Sequence, residues 1–294
     1  MEEKNRAEEQ LSAELGTGRA RAVIGKAVTV LGGVLLIISV LAGQLPLALL
    51  GLVVAMIGGY TLSKYNESVK KTLSEEIVNG VLAEVLEEVE YNPFGHIPDP
   101  AIEGAHMVFP ISFERVRGSD YVKAMYKGMP IEFSDVELYH IDSIYNEERN
   151  EWEDRENLAF QGQWLICGGS RKLSGEVHLA PCTGKSRRQL RQERILTGNE
   201  AFDERFIVTA QYEQEAFYIL TPHMMEYILD VQQKSGGEVY MSFLQDGKVH
   251  IAVRSGRNFF ELGRSRADTS ALRSKFLGEI RWFTDIIDTL HLQG

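Results

Sequence analysis

Val239 to Val253 reads VYMSFLQDGKVHIAV, and this stretch decides the fold class. Two runs rich in β-branched and aromatic residues, Val239 to Leu244 and Lys248 to Val253, flank Asp246-Gly247. That dipeptide suits a type I′ turn, so the stretch predicts a β-hairpin. Upstream, Asp120 to Tyr126 and Met129 to Leu138 flank Lys127-Gly128 and predict a second hairpin. Leu158, Phe160, Gly162, Trp164 and Ile166 alternate with other residues, as the inward side of a half-buried strand does. Phe206 to Thr209 and Ala216 to Leu220 read as further strands. Strands that arrive in hairpins predict a largely antiparallel sheet, hence an α+β domain.

Helices frame that sheet. Thr221 is an N-cap residue with Pro222 at the first helical position, which starts a helix running to about Lys234. Gly236 and Gly237 stop it. Leu272, Phe276, Ile280, Phe283, Ile287 and Leu290 recur at helical spacing and mark a C-terminal amphipathic helix.

Further upstream the pattern changes. Ala27 to Gly43 reads AVTVLGGVLLIISVLAG, with no charge and only Thr29 and Ser39 polar. With Ala22 to Lys26 it is long enough to cross the roughly 30 Å of a hydrocarbon core. A second apolar run, Leu45 to Leu62, follows the short link Gly43-Gln44-Leu45-Pro46, so the expectation is a transmembrane hairpin over 22–63 with the lipid bilayer as partner. A signal peptide before a single anchor and a buried soluble hairpin are the alternatives. Small residues at four-residue spacing (Gly25, Thr29, Gly33; Gly51, Ala55, Gly59) would let helices approach closely. Arg19, Arg21 and Lys26 precede the first run and Lys64, Lys70 and Lys71 follow the second. By the positive-inside rule this predicts a multi-pass inner-membrane protein with both termini cytoplasmic. A polar tail (1–21) would precede the hairpin. A stalk helix (64–92) carrying Val69, Leu73, Ile77, Val81, Val85 and Val89 would follow, and then the soluble domain (93–294).

Bulk composition narrows the function. Of the 294 residues 44% are hydrophobic, and the net charge of −11 argues against nucleic acid as a partner. Two cysteines, Cys167 and Cys182, are too few for a disulfide scaffold.

Each chemical motif meets a plainer explanation. Gly184-Lys185-Ser186 lacks the P-loop glycine five residues before it, where Leu179 stands, and Gly16-x-Gly18 lacks its third glycine. Cys167, His178 and Cys182 are not spaced as local chelators. His140 and His250 sit in strand-like surroundings, and Ser170 lacks a nucleophile-elbow context. Glu147, Glu148, Glu151, Glu153, Asp154 and Glu156 crowd between two strands, as a solvated loop or as a site for a cation or basic partner. Lys185, Arg187, Arg188, Arg191 and Arg194 form an opposite patch, a basic linker or a lipid contact.

The segments FQGQWLICGGSRKLSGEVHLAP (160–181), DYVKAMYKGMPIEFSDVEL (120–138) and AFDERFIVTAQYEQEAFYILTPHMMEYIL (201–229), with the hairpin ending in VHIAV, carry a resemblance. They are similar to an uncharacterised bacterial family, domain of unknown function 3137, whose members are sometimes labelled galanin-like. The resemblance implies membrane spans and a stalk before an α+β domain, and no activity. Where the family pattern has arginine before the Leu-Thr-Pro of the helix cap, this chain has Phe217. No catalytic, cofactor-binding or metal residue is singled out. The expectation is an interaction or regulatory module, with a protein partner or a homo-oligomer. An enzyme with a scattered site, or an accessory subunit of a transport or envelope assembly, is the alternative.

Overall fold

The computed structural model describes residues 76–146, 149–168, 172–190, 192–261 and 269–292, with residues 30, 33–35, 37–39, 52–54 and 56 upstream. The chain divides into two compact units, Met1–Ile77 and Val78–Gly294.

The first unit corrects the membrane expectation. Among the described residues no helix is long and apolar enough to cross a membrane. Of 22–63 only residues 30, 33–35, 37–39, 52–54 and 56 are described, and these are helical. The remainder of 22–63 lies outside the described residues, as do the tail (1–21) and 64–75. The transmembrane hairpin, and with it the multi-pass inner-membrane localisation, is therefore withdrawn.

Helix α1 (76–85), most of it in the second unit, leads into β1 (Glu87–Asn92). The stalk helix expected to reach residue 92 stops early. From Glu88 to Tyr91 the sequence alternates, with Val89 and Tyr91 half-buried and Glu88 and Glu90 exposed. A strand with that period can pair with β2, whose backbone then satisfies its polar groups.

The remaining elements are α2 (Asp99–Glu103), β2 (Arg115–Tyr126), β3 (Met129–Asn146), β4 (Glu151–Cys167), β5 (Val177–Pro181), α3 (Gly184–Gln189), α4 (Glu200–Arg205), β6 (Phe206–Ala210), α5 (Glu213–Ile219), α6 (Pro222–Ser235), β7 (Glu238–Phe243), β8 (Val249–Arg254) and α7 (Thr269–Thr289). The eight strands form one sheet in the order β1-β2-β3-β4-β8-β7-β5-β6, and each neighbouring pair is antiparallel.

The two expected hairpin turns exchange character. Lys127 and Gly128 both take positive φ (49° and 81°), as a type I′ turn between Tyr126 and Met129 requires. In the 239–253 hairpin only Gly247 does so, at 90°. There the Gly247 amide donates to the Leu244 carbonyl and the Leu244 amide to the Lys248 carbonyl, which makes a three-residue loop with glycine at its left-handed position. Ala216 to Leu220, expected as a strand, lies in α5; a short apolar run does not distinguish the two states by periodicity. Helix α6 starts as expected, with Thr221 Oγ1 accepting from the Met224 amide and Gly236 left-handed at its end.

Strand alternation gives the sheet two covered faces. On one, Val136, Leu138, Phe160, Trp164, Tyr240, Ala252 and Ile207 pack under Ile97, Ile102 and Phe109. Phe109 lies 4.7 Å from the Tyr240 ring and 5.3 Å from that of Phe160. On the other face Phe133 stacks on Phe283 of α7 at 4.1 Å. Phe276, Ile280, Phe283, Ile287 and Leu290 are buried along that helix, each removal from water contributing roughly 1.5–3 kcal/mol.

Candidate interaction surface

Strands β3 and β4 outrun their neighbours. Pairing with β2 ends at Arg115↔Tyr139, and pairing with β8 begins only at Gln163↔Val253. Beyond these points Ile141 to Asn146 pair with Glu151 to Glu156 alone, in unbroken register. At about 3.4 Å per residue this arm extends roughly 20 Å.

A bulge marks its root. Leu138 faces Phe160 while Tyr139 faces Leu158, leaving Ala159 as the extra residue. Such an insertion bends the strand and increases its twist. The Ala159 carbonyl accepts from Arg254 Nη2 at 2.5 Å. Nearby Gly162 is obligatory, since a Cβ there would meet the Val253 carbonyl oxygen. On the β3 side, Glu114 accepts the Ile141 amide at 2.8 Å and meets His140 Nδ1 at 3.0 Å. The Ile141 amide is the main reason the Glu114 carboxyl titrates below its usual range. On the β4 side Glu156 is bridged by Arg115 and Arg117.

Two-stranded ribbons are marginal in water, so the arm carries its own fastenings. Ser143 Oγ donates to Asp154 at 2.7 Å, Asn157 Nδ2 donates to Asp142 at 2.5 Å, and the Tyr145 and Trp152 rings meet edge to face at 5.3 Å. Opposed residues share a face, so Leu158, Asp154, Glu156, Tyr145 and Trp152 line one side while Ile144 and Glu153 lie on the other. Trp152 is 69% exposed, the highest value of any large apolar side chain among the described residues, and Leu158 and Ile144 are also exposed. Seven acidic residues stand against two arginines between 141 and 158. The acidic run, expected as a loop, therefore forms the outer half of a strand hairpin; Glu147 and Glu148 lie outside the described residues.

A second constellation has the connectivity of hydrolytic machinery without its access. His178 Nδ1 lies 2.9 Å from Ser242 Oγ, and its Nε2 lies 3.5 Å from Glu176, which also meets His106 at 2.8 Å. Trp164 Nε1 donates to His250 Nδ1 at 3.3 Å. Burial pushes His250 down to about 4, and desolvation also lowers His178. A nucleophile must reach its substrate, yet Ser242 is wholly buried. The row satisfies buried polar groups across β4, β8, β7 and β5.

Asp135 is a third buried group. It accepts from Gln163 Nε2 at 3.0 Å and from the Phe259 amide at 2.5 Å. Desolvation outweighs those bonds and pushes its carboxyl up to about 8. It ties the segment after β8 to the sheet. A groove of about 570 Å³ is lined by Leu190, Arg194, Leu196, Asp203, Glu204 and Ile207 among others, with no Ser, Cys or His.

The remaining sequence candidates are dispersed. Cys167, its thiol pushed up by burial, pairs with Ile131 and Val249 on the α7 side, while His178 and Cys182 belong to the opposite side. Among the described residues no three His, Cys, Asp or Glu side chains gather as a metal site. Gly184, Lys185 and Ser186 open the six-residue α3, capped by Thr183. Arg188 is exposed on it, Arg194 lies in the groove, and Arg191, Ser170 and Gly16-x-Gly18 lie outside the described residues. Phe217 is exposed on α5. The arm leaves only a faint trace in the sequence, Tyr145 and Trp152 placed to pair across a turn at Asn150.

No curated protein matches the chain. Among solved structures, the crystal structure of the mycobacterial trehalose monomycolate transport factor A, TtfA, aligns at 12% identity over 74% of this chain and 96% of that one. Its TM-score of 0.38 is too low to carry an inference about this chain. A family model described as protein of unknown function matches residues 158–292, from the root of the arm through α7. Over residues 158–292 the chain thus resembles the DUF3137 family, proteins of unknown function.

Proposed function

We propose that this chain is a non-enzymatic interaction module whose contact surface is the β3–β4 arm. One observation carries the reading: the two strands whose inner halves are covered on both faces run on into an uncovered ribbon tipped by Trp152. Aromatic anchors of this kind dominate binding energy at protein interfaces. A subunit role in a larger assembly is the same reading with a permanent partner. The buried Ser242 gives an enzyme no support.

The test is native purification of the full chain and of Trp152→Ser, followed by mass spectrometry of what is retained. The expected result is a stoichiometric protein on the parent and its loss from the variant. Equal retention by both, or no retained protein on either, overturns the reading.

A further inference from the structure

Building on the arm as a contact surface, we infer that its partner is an extended, Lys/Arg-rich segment of another protein, added as a strand along the open edge of β4.

The edge comes first. From Glu151 to Asn157 β4 has β3 on one side and, among the described residues, no strand on the other. A bare strand edge recruits another backbone unless something prevents it. Sheet addition of this type takes its affinity from main-chain bonds and its specificity from alternate side chains. A strand lying there would send alternate residues past Trp152, Asp154 and Glu156 on one face and past Glu151 and Glu153 on the other.

Charge selects the occupant. Four of the six residues from Glu151 to Glu156 are acidic. Like charges directly opposite are destabilising across a strand pair, so two arms of two copies repel, as does a nucleic-acid backbone. A cationic strand gains most on the face of Trp152 and Asp154, since Glu153 already meets Arg149 and Glu156 meets Arg115 and Arg117. Trp152, 69% exposed at the tip, offers a ring face on which a Lys or Arg head can sit. The arm is also held ready: Glu114 at Ile141 and the two arginines at Glu156 fix its root before any partner arrives.

The experiment titrates the full chain with a synthetic peptide of about ten alternating Lys and Val residues, long enough to span the edge. Calorimetry and acrylamide quenching are the readouts, the Trp152 share of the emission being taken by difference from Trp152→Ala because Trp282 is half-buried. Two controls accompany it, an alternating Glu/Val peptide and an alternating Lys/Pro peptide, which keeps the charge and removes every second amide. The expected result is binding of Lys/Val only, with Trp152 shielded from quencher. Binding should weaken by about tenfold or more when salt rises from about 20 to about 300 mM. Trp152→Ala and, separately, Asp154→Lys should each weaken it by at least about fivefold. Both side chains are exposed, so circular dichroism should match the parent.

No binding of Lys/Val, equal binding to both variants, or equal binding of Lys/Pro overturns the inference. The two readings fail separately. If Lys/Val does not bind but a native partner is still lost from Trp152→Ser, the basic strand is wrong and the contact surface stands. If neither occurs, both fall.

Discussion

The inner and outer halves of β3 and β4 have the same antiparallel pairing, offset by one residue at the bulge, and opposite fates. From Phe133 to Leu138 and Phe160 to Cys167 the ribbon lies between α7 and the 97–113 segment, and its apolar side chains are buried. From Ile141 to Asn146 and Glu151 to Glu156 the ribbon has no such cover among the described residues, and Ile144, Tyr145 and Trp152 are exposed. Hydrogen-bonded pairing alone therefore does not make a core; cover on the faces does. Stability should reside in the inner half and recognition in the outer.

Substitutions can break or sharpen this contrast. The largest effect belongs to the inner half, where Phe283→Ala removes the ring stacked on Phe133. The expected loss is about 3–5 kcal/mol in urea unfolding; a loss below about 1 kcal/mol would mean that α7 does not cover the sheet as described.

Next comes the buried carboxyl at Asp135. Folding raises it to about 8 from about 4 in an unfolded chain. Between those values the folded chain holds a proton that the unfolded chain has released, so stability falls as pH rises, by up to about 1.4 kcal/mol per unit. Above about pH 8 the loss is complete. Asp135→Asn should flatten that limb when unfolding is followed across pH; an unchanged slope would assign it elsewhere.

His250 supplies the opposite limb. Its folded value of about 4 lies below the ordinary imidazole value of about 6.5, so the unfolded chain gains a proton first as pH drops. Stability contributed by the neutral ring is present above about 6.5 and lost toward about 4. His250→Asn, which keeps an acceptor for Trp164, should reduce the acid-side slope in the same titration.

The smallest effect on stability is expected at the tip. Trp152→Ala removes one cross-strand pair with Tyr145 and should cost less than about 1 kcal/mol, while lowering the acrylamide-accessible tryptophan emission to the share of half-buried Trp282. Trp164 is fully buried and stays shielded. A loss comparable to that of Phe283→Ala would place Trp152 in the core and erase the contrast.

The same contrast explains what could be read from sequence. The hairpins around Lys127-Gly128 and Asp246-Gly247 are legible because apolar alternation and turn glycines agree there. The inner part of β4 is legible for the same reason, through Phe160, Trp164 and Ile166. Its outer part is not, because Glu151, Glu153, Asp154 and Glu156 have low strand propensity and are held in the ribbon by their partners across β3. Strand β5 escaped notice as only five residues ending in Pro181. Helix α5 was misread because Ala216 to Leu220 is apolar without a decisive period. The apolar runs within 22–63 illustrate the converse: hydropathy alone predicts spans, and among the described residues no helix is long and apolar enough to cross a membrane.

The strand order carries a consequence for biosynthesis. Strands β1 to β4 form a meander of near neighbours, but β4 meets its other partner only at Val249 to Val253. From Cys167 to Val253 a ribosome adding about 5–20 residues per second needs roughly 4–17 s. Throughout that interval the Trp164-Leu165-Ile166-Cys167 edge has emerged or is emerging without its mate. Long-range pairings of this kind form late, so the seam between β4 and β8 sets the time during which the nascent chain depends on chaperones.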